Sequence, residues 1–121
     1  MIEFVIRNGP PQALICPEFI CDTCRKQVTA SGNLLYARRT DPRQTSPVFV
    51  AHKGACDRAL TKWLGTAYPE ADGWHHSWEE IQFFLSNLVH NFDHPYADDP
   101  DGEYLDHQLV LPLAGAKSRT R

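Results

Sequence analysis

The sequence predicts a small α+β domain organised around a bound metal ion. Three observations predict it. Short β-branched runs such as IEFVIR (Ile2–Arg7) and VFVAH (Val48–His52) stand between turn-forming stretches. Two later segments carry apolar residues at helical spacing. Two pairs of metal-ligand side chains, C-x2-C and H-x3-C, are separated by enough chain to form a hairpin. A chain of 121 residues is most simply one domain with a modest core, which a metal cross-link would supplement.

The elements follow in order. Ile2–Arg7 reads as a strand, ended by the NGPP of Asn8–Pro11. ALICPEFIC (Ala13–Cys21) is apolar with Pro17 inside it, which fits an edge strand or an extended lead-in to the cysteine pair. SGN (Ser31–Asn33) is a turn signal, so QVTA and LLYARR on either side predict a β-hairpin. TDPRQTSP (Thr40–Pro47) reads as a loop and Val48–His52 as a strand. From Ala55 the pattern turns helical: Cys56, Ala59, Leu60, Trp63 and Leu64 recur on one face, and Gly65 ends the helix.

AYPEADGWHH (Ala67–His76) reads as a loop. SWEE (Ser77–Glu80) then matches a capping box, in which Ser77 caps a helix and Glu80 reaches back. Ile81, Phe84, Leu85, Leu88 and Phe92 follow on one face, with Val89 beside them, so an amphipathic helix is predicted over Trp78–Phe92. Pro95 stops it. Tyr96–Asp106 is acidic and turn-rich, and HQLVLPL (His107–Leu113) predicts one short strand. The basic tail 114–121 has nothing to bury and is predicted to be disordered. The prediction is therefore one domain over 1–113, with a zinc unit near 20–65 and an acidic, helix-containing part near 67–106.

Cys21 and Cys24 form the C-x2-C pair, and His52 and Cys56 the H-x3-C pair. Zinc favours four tetrahedral sulfur and nitrogen ligands, which a Cys3His set supplies completely. The first pair fits a tight turn whose amides face the thiolates. The second sits where a strand gives way to a helix, whose N-terminus favours the Cys56 thiolate. Arg25, Lys26 and Lys53 flank the ligands and are expected to offset the thiolate charge. Cys16 is the alternative to His52 as fourth ligand. Four ordinary buried thiols would also account for the cysteines.

The order of C-x2-C, hairpin and H-x3-C helix start over Ile20–Leu64 resembles the treble-clef class of zinc fingers. That resemblance implies a knuckle pair, Cys21 and Cys24, and a helix-side pair, His52 and Cys56. Two departures stand out: Arg25 follows the second cysteine where many knuckles have Gly, and the helix-side pair is H-x3-C rather than C-x2-C. The stretch CDTCRK…LLYARR…VFVAHKGAC is also similar to small uncharacterised prokaryotic and phage proteins with a CDxC and HKxxC pattern. This implies a phage or mobile-element origin and supplies no activity.

A full Cys3His set leaves no open coordination position, and three thiolates reduce the Lewis acidity of the ion, so one structural Zn2+ per chain is expected. A deaminase would need Glu two residues after the histidine and a following PCxxC, and His52 is followed by Lys-Gly. A nuclease of the same structural class needs further His and Asn on the unit, and His52 is the only histidine between Cys24 and Leu64. His75, His90 and His94 could form a second, more open metal site serving a hydrolase or nuclease; histidines late in a helix also simply suit its dipole. No Gly-rich phosphate loop or nucleophile elbow is present.

Charge is unevenly distributed. Cys21–Thr66 carries +5, Ala67–Asp106 carries −10 with no Lys or Arg, and the whole chain −3. Arg38, Arg39, Arg43, Lys53, Arg58 and Lys62 lie among aromatics, a pattern that suits nucleic acid, although the overall acidity argues against it. Trp74, Trp78, Tyr96 and Tyr104 in the acidic half are either core-closing or interface anchors. The expected function is a non-enzymatic adaptor or regulator binding a protein partner, with nucleic-acid binding as the alternative. No apolar run is long enough to span a membrane, and no signal-peptide pattern opens the chain, so a cytoplasmic location is expected.

Overall fold

The computed structural model describes residues 1–7 and 14–93. The fold is α+β, with two helices and antiparallel sheets. The first sheet has strands β1 (Ile2–Arg7), β2 (Leu14–Ile20) and β3 (Gln27–Val28), in that order. β2 pairs with β1 along its length, from Ile2 opposite Phe19 to Arg7 opposite Leu14. β3 reaches only Phe19 and Ile20. Pro17 thus lies beyond the reach of β3, where a residue without an N–H is tolerated.

The second sheet is centred on β4 (Asn33–Thr40). One edge of β4 is shared by β5 (Arg43–Thr45) and β6 (Phe49–Ala51). The other edge carries β7 (His75–Glu80), in register from Asn33 opposite Glu80 to Arg38 opposite His75. Helix α1 (Ala55–Ala67) lays Leu60 and Leu64, one turn apart, into the core, and α2 (Ile81–Asp93) follows β7 directly. Cys21, Val28, Leu34, Leu35, Val48, Val50, Ala51, Leu60, Leu64 and Ile81 form one core. Each fully buried leucine contributes about 1.5–3 kcal/mol.

Six expectations change. β2 is the central strand of its sheet rather than an edge, because β1 and β3 pair on its two sides. Of the loop expected over Ala67–His76, Ala67 ends α1, Glu70–Asp72 forms a 3-10 turn, and His75 and His76 open β7. QVTA does not hairpin with LLYARR: Val28 pairs with Phe19 of β2. Gly32 is needed for close approach instead, because a Cβ there would lie 2.5 Å from Val28 Cγ1 and 3.0 Å from the Ala51 carbonyl oxygen. The loop of Thr40–Pro47 contains β5. Gly65 lies inside α1, which runs on to Ala67 and closes with the Tyr68 amide donating to Leu64 O at 2.7 Å. Ser77 caps no helix: Ser77–Glu80 belongs to β7, because β4 offers an unpaired edge that takes these backbone groups. α2 therefore starts at Ile81. The strand predicted over His107–Leu113 and the tail 114–121 lie outside the described residues. Among the described residues, no helix is long and apolar enough to cross a membrane.

Candidate metal centre

The turn between β2 and β3 carries Cys21 and Cys24. Three hydrogen bonds shape it, two between backbone groups and one from an amide to a sulfur. Cys21 N donates to Lys26 O (2.9 Å), Arg25 N to Cys21 O (2.9 Å), and Cys24 N to Cys21 Sγ (3.5 Å). Arg25 closes the turn with φ +65°, the left-handed conformation that glycine adopts at least cost. A non-glycine residue there costs roughly 1–2 kcal/mol, which the surrounding bonds must offset.

β6 ends at Ala51, and His52 follows at once. Gly54 reverses the chain with φ +91° and serves as the N-cap of α1, so Cys56 falls in the first turn. Asp57 N donates to His52 O at 3.0 Å, and Arg58 N to Gly54 O at 2.9 Å. Asp22 joins the two halves. Its amide donates to Val50 O at 2.7 Å, and its Oδ2 accepts from Val50 N at 2.8 Å and from the Met1 amine at 2.7 Å. Thr23 Oγ1 adds a bond to Cys56 O at 3.0 Å.

These constraints bring Cys21, Cys24, His52 and Cys56 together, with their ligand atoms all within 4.8 Å of one another. A tetrahedral zinc shell of three sulfurs and one nitrogen has edges of about 3.5–3.8 Å, so small side-chain adjustments suffice to close on an ion. The His52 ring is already oriented. Nδ1 lies 3.4 Å from Cys24 Sγ, and Nε2 lies 3.0 Å from Gln27 O. With its proton on Nε2 the ring donates to that carbonyl and presents Nδ1 to the cluster, as histidine ligands characteristically do. Cys21 is fully buried, Cys56 and His52 are half-buried, and Cys24 is exposed, so the cluster sits at the edge of the core.

The three thiols cannot ionise independently. Burial disfavours the Cys21 thiolate, but the amides of Cys24 and Thr23 and the contacts with His52 outweigh it and bring Cys21 down to about 6. Cys56 is pushed up to about 11 by desolvation and by its neighbours Cys21 and Cys24. The helix N-terminus expected to favour its thiolate is thus overridden. Two of the three flanking cations are also otherwise engaged: Lys53 pairs with Glu80 at 3.0 Å, and Arg25 leans toward Asp22 at 3.9 Å. A divalent cation is the group that relieves this crowding of thiolates.

The remaining predicted residues are dispersed. Cys16 lies within β2 opposite Val5, away from the cluster, and all four cysteines are free of disulfides. Among the described residues the Cys3His cluster is the one group positioned to hold an ion; neither His75 nor His90 joins another, and His94 lies outside the described residues. Arg39 stacks on Trp74 at 4.7 Å from the ring centroid and hydrogen-bonds Gln44. Arg38 and Arg43 stand on β4 and β5, and Arg58 and Lys62 are exposed on α1. Trp74 closes a row of edge-to-face aromatics running from Phe49 through Trp63 and Tyr68, whereas Trp78 is largely exposed. Tyr96 and Tyr104 lie outside the described residues.

Sequence reasoning missed Asp22, the residue that fixes the knuckle against β6. Its only signal was an acid placed between two cysteines. No family model, no curated protein sequence and no solved structure matches the chain.

Proposed function

We propose that the chain binds one zinc ion through Cys21, Cys24, His52 and Cys56, and that the metal is structural. The gathering of three sulfurs and an oriented imidazole within 4.8 Å carries this reading. Four protein ligands fill a tetrahedron, which leaves no position for substrate or water. The order of cysteine turn, β4–β5 hairpin and helix further supports a treble-clef relationship, although the hairpin is not the one expected from QVTA and LLYARR, and so does the left-handed residue after the second cysteine. Elemental analysis tests the proposal: one zinc per chain, retained through mild chelation, and lost together with the fold in Cys56→Ser. A Cys56→Ser protein that keeps both zinc and melting temperature refutes it.

On this reading the protein acts by binding, as an adaptor or regulator of another protein. Large exposed apolar side chains support a protein partner, among them Phe4, Ile6 and Ile15 side by side on the first sheet. Nucleic-acid binding has less support, because Arg39 and Lys53 are occupied by Trp74, Gln44 and Glu80. Affinity for DNA or RNA that falls steeply with salt would reverse that ranking. A partner retained by the native chain and lost by Ile15→Asp at unchanged zinc content would support the first reading.

A further inference from the structure

A groove of about 480 Å3 lies between the cysteine turn and α1, within the range of about 300–1,000 Å3 typical of ligand sites. Asp22, Thr23 and Arg25 line it from the turn, Ala59 and Trp63 from the helix, and Phe49 from β6. Thr23 Oγ1 donates to Cys56 O at 3.0 Å and ties the two walls together. Cys21, Cys24 and Cys56 belong to the same two segments, so an ion held by them fixes the spacing of the walls. The lining is aromatic and open: Phe49 stands edge-on to Trp63 at 5.2 Å, and Trp63 remains 49% exposed. The rim is cationic. Arg25 is 64% exposed and meets Asp22 only at 3.9 Å. Arg58 and Lys62 each precede a groove residue on α1, about 100° around the helix, and their side chains pair with no acid among the described residues. Asp22, the one acid of the lining, is engaged by the Met1 amine at 2.7 Å and by Val50 N at 2.8 Å.

We infer that this groove docks an acidic segment of a partner protein. The segment inserts one large apolar side chain against Phe49 and Trp63 and lays its carboxylates against Arg25, Arg58 and Lys62. Charge complementarity selects the occupant: an apolar pocket ringed by three cations favours an apolar anchor flanked by acids and disfavours a basic or neutral segment. An exposed Trp with Arg beside it is also the kind of residue that dominates protein interfaces. A nucleic-acid strand needs a longer basic track for its successive phosphates, and the chain after α1 carries −10 over Ala67–Asp106 with no Lys or Arg. The inference rests on the reading that the chain acts by binding a protein, and it names a surface separate from the first-sheet face of Phe4, Ile6 and Ile15.

Selection from a randomised displayed peptide library on the zinc-loaded full chain tests it. The enriched peptides are expected to carry several Asp or Glu around one Leu, Phe or Trp, and to bind in fluorescence anisotropy with an affinity that falls as salt is added. Arg58→Glu combined with Lys62→Glu, both at exposed sites, weakens that binding at least about tenfold. Ala59→Arg is the sharper variant: it adds a cation but fills the groove, so binding is lost, whereas simple charge attraction would strengthen it. Ile15→Asp leaves binding unchanged. Zinc content and Tm, measured on every variant, separate a lost groove from a lost fold. Enrichment of no peptide, or of basic or neutral ones, overturns the inference, as does binding that survives Ale59-filling by Arg or single-stranded oligothymidylate that outcompetes the selected peptides. Peptides lost with Ile15→Asp and kept by Ala59→Arg would overturn the groove while leaving the protein-binding reading intact.

Discussion

Replacing Asp22 with Ala removes the contact that holds the knuckle against β6. The carboxylate is only 9% exposed and accepts from two donors, Val50 N at 2.8 Å and the Met1 amine at 2.7 Å. Val50 is fully buried, so its N–H gains no water in exchange. Leaving a buried donor unpaired costs about 1–3 kcal/mol, and a hydrogen bond to a charged group is worth about 1.5–3 kcal/mol. These overlap, so the expected loss is roughly 2–4 kcal/mol out of a total of about 5–15. At about 4 °C per kcal/mol for a domain of this size, Tm falls by roughly 8–15 °C. Asp22→Asn keeps an acceptor oxygen for Val50 and is expected to lose about half as much. Denaturant titration at fixed free zinc measures both variants, with an unchanged slope showing that two-state unfolding persists. Because the knuckle also positions Cys21 and Cys24, zinc should be stripped from Asp22→Ala by weaker chelators than from the native chain. An Asp22→Ala protein within about 0.5 kcal/mol of the native one would show that this carboxylate does not join the two halves of the site.

Three further predictions follow from the same geometry. Gly32→Ala forces a Cβ against Val28 and the Ala51 carbonyl and should destabilise by about 1–3 kcal/mol in the same titration, a neutral result showing that the approach is looser than described. His52→Ala should lose zinc while Cys16→Ser keeps it, and the reverse pattern in metal analysis would move the fourth ligand to Cys16. Zinc affinity should rise with pH. Cys56 holds its proton up to about 11 in the metal-free chain and must release it to bind, so this thiol alone gives about tenfold per pH unit between 6.5 and 8.5. Cys21, already brought down to about 6, adds little to that slope above pH 7. Competition with a chelator of known pH dependence measures the slope, and a flat profile would mean that Cys56 is not a ligand.

The candidate site was legible because its signal is chemical and local. Cys21 and Cys24 at x2 spacing, with His52 and Cys56 astride a strand-to-helix junction, state their partners in the sequence itself. Helix α1 was legible in its periodicity, since Leu60 and Leu64 sit one turn apart and both are buried. Most of what failed depended on distant pairing. SWEE has the composition of a capping box, yet the open edge of β4 claims its backbone from more than thirty residues away. Gly32 announces a turn, but its lack of a side chain serves the packing of Val28 and Ile81 around it. Gly65 ended the helix on paper, whereas Tyr68 closes it in the fold. Asp22 illustrates the same limit at the site: nothing local says that its carboxylate reaches Val50.

Zinc K-edge X-ray absorption on the purified full chain tests the central claim most directly, because it reads the ligand atoms themselves. The account predicts three sulfurs at about 2.3 Å and one nitrogen at about 2.0–2.1 Å, with no oxygen in the shell. Four sulfurs would place Cys16 in the site. An oxygen in place of one protein ligand would mean an open, water-bearing metal, and would contradict the structural role assigned to Cys21, Cys24, His52 and Cys56.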